Sequence, residues 1–202
     1  MLKLYSAPGT CSLAANIALH EAGADHELVT LDFANHQQRS PEYLAINPKG
    51  RVPTLVTEHG VLSETVALLL YVAQRFPAAK LAPLDDPFAL ARMQEVNSYL
   101  ASTVHVAHAH KRRGARWADE ASSIADMQRK VPQTMTEAFN VIENHYLQGP
   151  WVLGASYSVA DGYLFTIASW LKTDDVDIAL FPKVAEHTAR MLERPAVQRA
   201  LA

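Results

Sequence analysis

Apolar and polar residues in the N-terminal part of the chain follow three successive patterns. Residues 2–5 alternate between apolar and polar, which predicts a short β-strand. Between Ser12 and Ala22 the apolar side chains recur at helical spacing, and Gly23 follows as a stop signal. Residues 27–31 again have the composition of a strand. A strand-helix-strand order favours two parallel strands joined by a crossover helix.

The next segment predicts two more strands before the sequence becomes helical. A short helix is expected around residues 42–46. Residues 52–57 and 61–63 are typical of two strands joined by a hairpin turn. The apolar spacing that begins at Val66 predicts a helix that ends before Pro77.

The second half of the chain contains no strand-like alternation. Residues 80–87 hold two prolines and two acidic residues and are the best candidate for a linker. Beyond them the apolar spacing predicts long helices, and Pro182 and Pro195 are placed to open the last two. We therefore expect an α/β + all-α fold, with an α/β domain at 1–79, a linker at 80–87 and an all-helical domain at 88–202.

Two local features stand out within the helical half. Pro132 falls inside an apolar pattern that runs from Ile124 to Ile142, where it should kink the helix or delay its start. The tetrapeptide Ser158-Val159-Ala160-Asp161 has the form of a capping box, with an acid at the third helical position.

Composition and charge narrow the class of protein. The chain has 202 residues, of which 49% are hydrophobic, so a sizeable core is possible without disulfides. Its net charge of −3 gives no long-range attraction to nucleic acid or to an anionic membrane. A single cysteine fits a reducing compartment, and no signal-peptide pattern opens the chain. We expect a cytoplasmic protein.

The dipeptide Val52-Pro53 is a candidate for peptide binding. If its bond is cis, the backbone of Val52 turns outward, and a peptide ligand could pair with it as another strand would. Only about one X–Pro bond in twenty is cis, so an ordinary trans proline is favoured for the dipeptide alone. The neighbouring features favour the cis interpretation.

A second candidate binding feature is Ser63-Glu64-Thr65, which opens a predicted helix. The free backbone N–H groups and the helix dipole favour an anion there, so Thr65 could hold a carboxylate. Glu64 could hold an ammonium group. The alternative for the dyad alone is an N-cap followed by a first-turn acid, as many helices have.

Cys11 is the candidate nucleophile. It lies at the start of the first predicted helix, where the helix dipole should lower the pKa of a thiol. The alternative is a small buried hydrophobic residue. Because no second cysteine is present, any redox cycle has to pass through a mixed disulfide with an external thiol.

The histidines and basic residues near position 110 suggest further roles. On a regular helix His105 and His108 share a face while His110 points away, and no cysteine or spaced acid completes a metal site. His105 could polarise a bound thiol, or it could be an interface histidine. A basic cluster follows and is typical of a solvated helix end, with the rim of an anionic-substrate site as the alternative: Lys111, Arg112, Arg113 and Arg116.

Together these motifs resemble the cytosolic glutathione transferases, and most closely the bacterial beta class. The resemblance covers essentially the whole chain and rests on residues 4–12, 47–53, 63–65 and 158–161. It implies a thioredoxin-like N-terminal domain followed by an all-helical C-terminal domain. It also implies glutathione as a co-substrate, no metal, and a homodimer.

The resemblance assigns roles to individual residues. Cys11 would be the active-site cysteine, able to form a mixed disulfide with glutathione. Val52, before cis Pro53, would pair with the cysteinyl backbone of glutathione. Glu64 and Thr65 would take its γ-glutamyl end.

Three further candidates come from the same motifs. His105 matches the beta-class histidine near the sulfur, Tyr5 is a third catalytic candidate, and Arg51 is a further glutathione-binding candidate. Ser158 and Asp161 match the capping box of the helical core, which is a folding element.

Some positions depart from the beta-class pattern. Val106 stands where lysine is common, Ser98 where asparagine often precedes the histidine, and Ser6 where a second tyrosine often stands. These departures leave the glutathione cradle intact and the thiol-activating contacts open. The zeta class expects arginines on the first helix, and the residues after Cys11 lack them, which argues against an isomerase.

We therefore expect a transferase that conjugates glutathione thiolate to small hydrophobic electrophiles in detoxification, or that exchanges thiol for disulfide at Cys11. The candidates for an electrophile pocket are Val104, His108, Trp117 and Trp170. The alternative is a non-catalytic glutathione-binding protein on the same fold, which the departures at Ser98 and Val106 motivate.

Overall fold

The computed structural model describes all 202 residues of the chain. Four strands and three helices form its first part, and β3 begins two residues later than predicted because Pro53 has no N–H for a strand ladder. The elements are β1 (Leu2–Ser6), α1 (Ser12–Glu21), β2 (His26–Thr30), α2 (Pro41–Ile46), β3 (Thr54–Thr57), β4 (Gly60–Ser63) and α3 (Thr65–Arg75).

The four strands form one mixed sheet in the order β2-β1-β3-β4. β1 and β2 are parallel, as predicted from the crossover helix, and Leu4 lies opposite Leu28. β3 runs antiparallel to both β1 and β4, with Leu55 opposite Leu4. Leu4 and Leu55 are fully buried and join the side chains of α1 and α3 in the main core.

The remainder of the chain is helical, and the predicted fold class is confirmed as a thioredoxin-like mixed sheet followed by a helical domain. The boundary at 80–87 stays a prediction. No helix has both the length and the hydropathy needed to cross a membrane. The helices are α4 (Pro87–Tyr99), α5 (His105–Arg113), α6 (Ala121–Val141), α7 (Val159–Ala168), α8 (Pro182–Leu192) and α9 (Pro195–Leu201).

A π turn at Leu100–Val104 joins α4 to α5. The backbone N–H of His105 donates to the carbonyl of Leu100, five residues earlier, which is the bond that defines such a turn. Leu100 and Val104 are fully buried, so the turn lies against the core. His105 is therefore the first residue after a local widening of the helix.

Pro132 does not delay α6, so that part of the prediction is wrong. The helix begins at Ala121 and continues through the proline. A proline inside a helix costs about 3 kcal/mol because it removes one backbone hydrogen bond. The burial of Val131, Met135 and Phe139 on the same helix offsets that cost.

Helix α7 is the centre of the molecule. All ten of its residues are buried, and it packs against α1, α3, α4 and α8. A Cβ atom at Gly162 would lie 3.3 Å from Cγ2 of Ile17, so the close approach of α7 to α1 depends on a residue without a side chain. The sheet domain and the helical domain therefore share one core.

The start of α7 carries the predicted capping box. The buried carboxylate of Asp161 accepts the backbone N–H of Ser158 at 2.8 Å and that of Val152 at 2.7 Å. It also contacts Nε2 of the fully buried His187 at 3.1 Å. One carboxylate thus satisfies donors from three segments of the chain.

Replacing Asp161 with alanine should lower the free energy of unfolding by about 3 kcal/mol or more, because buried donors from three segments lose their acceptor. Chemical denaturation measures the change. The matched control is Asp86→Ala, which removes an exposed N-cap of α4 and should cost about 1 kcal/mol. Equal losses for the two variants would contradict a special role for Asp161.

Candidate functional site

A cavity of about 610 Å³ lies between the sheet domain and α5. Its walls come from the loop after β1, the loop before β3, the first turn of α3 and one face of α5. Of the eight site residues predicted from the sequence, seven line this cavity: Cys11, Arg51, Val52, Pro53, Glu64, Thr65 and His105.

Buried side chains hold the loop before β3 in place. The amide of Asn47 donates to the carbonyl of Arg51 at 2.9 Å and to the hydroxyl of Thr54 at 2.8 Å. The hydroxyl of Tyr43 donates to the same carbonyl at 2.6 Å. A Cβ atom at Gly50, where φ is +58°, would come within 2.8 Å of a neighbouring carbonyl. The hydrogen bonds therefore hold the loop in this conformation, which requires glycine at position 50.

The backbone N–H and carbonyl of Val52, which lines the cavity, are not bonded to any other backbone group. The Val52–Pro53 bond is cis, as predicted. The N–H of Val52 has no partner within the chain, and its carbonyl accepts only from the thiol of Cys11, at 3.6 Å. An extended peptide can satisfy such a pair of groups in the way that a neighbouring strand does.

The start of α3 forms the other end of the cavity. Glu64 has a φ of 77°, which is rare for a residue other than glycine and commonly marks a functional position. Its carboxylate pairs with the ammonium of Lys49 at 2.5 Å. Thr65 follows as the first residue of α3, where the backbone N–H groups have no intrahelical partners and favour an anion.

Cys11 lies at the start of α1, as predicted, but its surroundings disfavour the thiolate. Its side chain is buried, with 7% of its surface exposed. Burial raises the pKa of the Cys11 thiol, and a hydrogen bond with Thr65 and the charge of Arg113 lower it by less. The expectation of a lowered pKa is therefore wrong, because loss of solvent outweighs the effect of the helix start.

His105 faces the same cavity and packs edge-on against Trp170, with ring centroids 4.9 Å apart. Burial lowers its pKa from 6.5 to about 4, and the positive charge of Arg113 adds to the effect. The imidazole is therefore neutral at pH 7. A neutral imidazole donates one hydrogen bond and accepts another, but it is a weak base.

Tyr5 is the one predicted site residue that does not line the cavity. It lies in β1, and its ring packs against Tyr43 with centroids 5.4 Å apart. The strand turns this side chain toward α2. The proposed site therefore does not include Tyr5.

The candidates for an electrophile pocket are only partly correct. Trp117 lines the cavity, whereas Val104, His108 and Trp170 do not. His108 stacks on Trp170 and contacts the buried carboxylate of Asp174 at 2.7 Å, so it belongs to the packing behind the cavity wall. No three His, Cys, Asp or Glu side chains are grouped to hold a metal ion.

Several cavity residues were not among the site residues predicted from the sequence. Arg112, Arg113 and Arg116 line the cavity, whereas the sequence favoured a solvated helix end. The signal was their spacing, which continues the helical face of His105. Tyr163 also lines the cavity, and no feature of the sequence distinguishes it from the other buried positions of α7. Burial raises the pKa of its hydroxyl.

Comparison with known proteins identifies related sequences over the whole chain. The family model of the glutathione S-transferase N-terminal domain matches residues 1–74, and that of the C-terminal domain matches residues 108–202. The chain is 32% identical to glutathione S-transferase GstA of Escherichia coli O157:H7, over 99% of this chain and 97% of that protein.

Two solved structures are also similar. A glutathione transferase homologue from Sulfitobacter, with bound glutathione, is 49% identical and has a TM-score of 0.97, over 100% of this chain and 97% of that chain. A bacterial beta-class glutathione S-transferase from Sphingomonas chungbukensis is 31% identical with a TM-score of 0.86, over 98% and 96% of the two chains.

The thiol of Cys11 should titrate above the ordinary cysteine pKa of roughly 8.5 in the ligand-free protein, because burial penalises the thiolate. The rate of alkylation measured against pH gives the midpoint, and Cys11→Ala gives the background. Thr65→Val should move the midpoint higher still, since it removes a hydrogen bond that favours the thiolate. A midpoint below the ordinary value would show that the helix start dominates.

His105 should make the protein less stable as the pH falls from 6.5 to 4. The unfolded chain binds a proton at this residue near pH 6.5, whereas the folded chain binds it only at about 4. This difference in pKa corresponds to a loss of about 3 kcal/mol at most in the free energy of unfolding. The free energy of unfolding should therefore fall less between pH 7 and pH 4 in His105→Gln than in the wild type. The control is His59→Gln, because the side chain of His59 is exposed. An equal fall in the free energy of unfolding in His105→Gln and in the wild type would contradict the lowered pKa of His105.

Proposed function

The chain belongs to the glutathione S-transferase family, and on that premise we propose that it binds glutathione in this cavity and transfers the glutathione thiolate to a small electrophile with an apolar body. Membership of the family confirms the expectation of a glutathione transferase. The bound position of glutathione, the electrophile and the chemical step are the proposed parts.

The unpaired backbone of Val52 is the observation that carries the proposal. Its N–H and carbonyl lie on one wall, and the first turn of α3 lies on the same cavity. The cysteinyl residue of glutathione would pair with Val52 as a short antiparallel strand. The γ-glutamyl end would then reach Glu64 and Thr65.

The charges around the cavity support this orientation. The α-ammonium of glutathione would bind the carboxylate of Glu64, and the adjacent carboxylate would bind the hydroxyl and N–H groups at Thr65. The glycyl carboxylate would lie near Arg51, which precedes Val52 in the same loop. The ammonium group and the glycyl carboxylate thus have partners of opposite charge, and the γ-glutamyl carboxylate has hydrogen-bond donors at a helix start.

The transfer step needs an ionised sulfur. The thiol of glutathione would release its proton to solvent, and the sulfur lone pair would form the new bond to carbon while the leaving group departs with the electrons of the old bond. Neutral His105 would donate a hydrogen bond to the sulfur anion instead of acting as its base. Arg113 would add a positive charge nearby.

Thiol–disulfide exchange through Cys11 is the second candidate. Cys11 is part of the cavity wall and its sulfur lies 3.6 Å from the carbonyl of Val52, which is the group that would pair with glutathione. Burial and a raised pKa disfavour the thiolate that such an exchange needs. These properties favour conjugation as the main reaction. We place the reaction in the cytoplasm, as part of detoxification, and in a homodimer.

The test compares two reactions in the wild type, Cys11→Ala and Glu64→Gln. The reactions are conjugation of an aryl halide and reduction of a mixed disulfide, both with glutathione. Cys11→Ala should retain aryl halide conjugation within about tenfold, since the attacking sulfur belongs to the ligand. Glu64→Gln should raise the KM for glutathione about tenfold or more, because a charge-assisted hydrogen bond is lost.

Glu58→Gln is the matched control, since Glu58 pairs with Arg75 away from the cavity and its variant should keep the wild-type KM. Reduction of the mixed disulfide without conjugation of the aryl halide in the wild type, with loss of that reduction in Cys11→Ala, would make exchange the main reaction. Glutathione binding without turnover of either substrate would support the non-catalytic alternative. Absence of both binding and turnover would overturn the proposal.

A further inference from the structure

Five arginines line the cavity, and none of them forms an ion pair: Arg39, Arg51, Arg112, Arg113 and Arg116. Four arginines away from the cavity do pair with carboxylates: Arg75, Arg92, Arg129 and Arg194. The only acidic residue in the cavity wall is Glu64, and Lys49 already pairs with it. The cavity therefore has a surplus of positive charge in a chain whose net charge is −3.

This surplus is unfavourable in the absence of an anion. Burial lowers the pKa of Arg113, and the neighbouring charge of Arg51 lowers it further. Burial also lowers the pKa of Arg116, followed by the charges of Arg113, Arg51 and Arg39. Like charges that face one space without counter-charges attract an anion into it.

Glutathione accounts for only part of the surplus. With its thiol ionised it carries two carboxylates, one thiolate and one ammonium, so it neutralises two of the five arginines. Arg39 and Arg51 lie on the sheet side, and Nη1 of Arg39 would come within 2.8 Å of a Cβ at Gly50, in the loop that precedes Val52. These two are therefore the arginines that the glycyl carboxylate of bound glutathione would reach.

The other three arginines lie on the opposite wall, beyond His105. Arg112 and Arg113 end α5, and Arg116 follows in the next turn. The apolar side chains of Val106 and Trp117 line the cavity on the same side. This wall thus combines an apolar surface with three cations that the carboxylates of glutathione do not reach.

We propose that the second substrate carries a carboxylate on an apolar electrophilic body, and that Arg112, Arg113 and Arg116 bind that carboxylate. The inference rests on the proposed function, because it concerns the electrophile that glutathione attacks. The planar guanidinium group matches a carboxylate through two parallel hydrogen bonds. The acid would fix the electrophile so that its reactive carbon faces the thiolate near His105.

The test uses two electrophiles with the same reacting group, para-(chloromethyl)phenylacetate and its methyl ester, of which only the first is charged. In both, the thiolate displaces chloride, and a methylene group insulates the reacting carbon from the acid. Each kcat/KM is divided by the uncatalysed rate with glutathione. The acid should be preferred over the ester by about tenfold or more, and about 0.5 M salt should reduce that preference by screening.

The double variant Arg112→Gln, Arg116→Gln should lose most of the preference while keeping the wild-type KM for glutathione. Both side chains are exposed, so the fold should be retained. The control is Arg199→Gln, an exposed and unpaired arginine outside the cavity, which should keep the preference. A raised KM for glutathione with an unchanged acid preference would assign the arginines to glutathione and overturn the inference.

The outcomes separate this inference from the proposed function. Turnover of both electrophiles without an acid preference overturns the inference and leaves the transferase proposal standing. If neither electrophile turns over, calorimetry can measure the affinity of the protein for the two preformed glutathione conjugates, and these affinities test the inference. Tighter binding of the acid conjugate by the wild type than by the double variant supports the inference, and equal binding overturns it.

Discussion

The burial of α7 on every side is the constraint on which the rest of the structure depends. A helix that is buried all around has no solvent for its terminal N–H groups, so those groups need partners within the protein. The carbonyl of Leu81 accepts the N–H of Val159, and Ser158 accepts the next two. The carboxylate of Asp161 accepts the N–H of Ser158 and ties the segment at Val152 and the helix that carries His187 to the same point. The positions of α1 and α3, and with them Cys11 and Thr65, follow from packing against this one helix.

Apart from the ion pair between Lys49 and Glu64, the ionisable groups of the cavity are either uncharged or without a counter-charge. His105 is neutral because burial lowers its pKa, and Cys11 is neutral because burial raises its own. The arginines cannot respond in the same way, since their pKa values stay far above neutral pH. The electrostatics of the site therefore favour anions, although the surrounding wall is partly apolar.

Local motifs could be predicted from the sequence. Which side chains line the cavity could not be predicted in every case. The cis bond at Val52 and the capping box at Ser158 are encoded in a few neighbouring residues, so the sequence was sufficient. Tyr5 and His108 were misplaced because their roles depend on which face of an element meets the cavity. The π turn at residues 100–104 adds to that difficulty, since periodicity counted from α4 does not carry into α5 unchanged.

The ion pair between Lys49 and Glu64 gives the cavity an internal substitute for a ligand's ammonium group. Any cation that binds Glu64 has to displace Lys49, so such binding is an exchange of partners at constant charge. The released Lys49 is then one more unpaired cation in the cavity wall, so binding of an ammonium group at Glu64 raises the affinity of the cavity for anions.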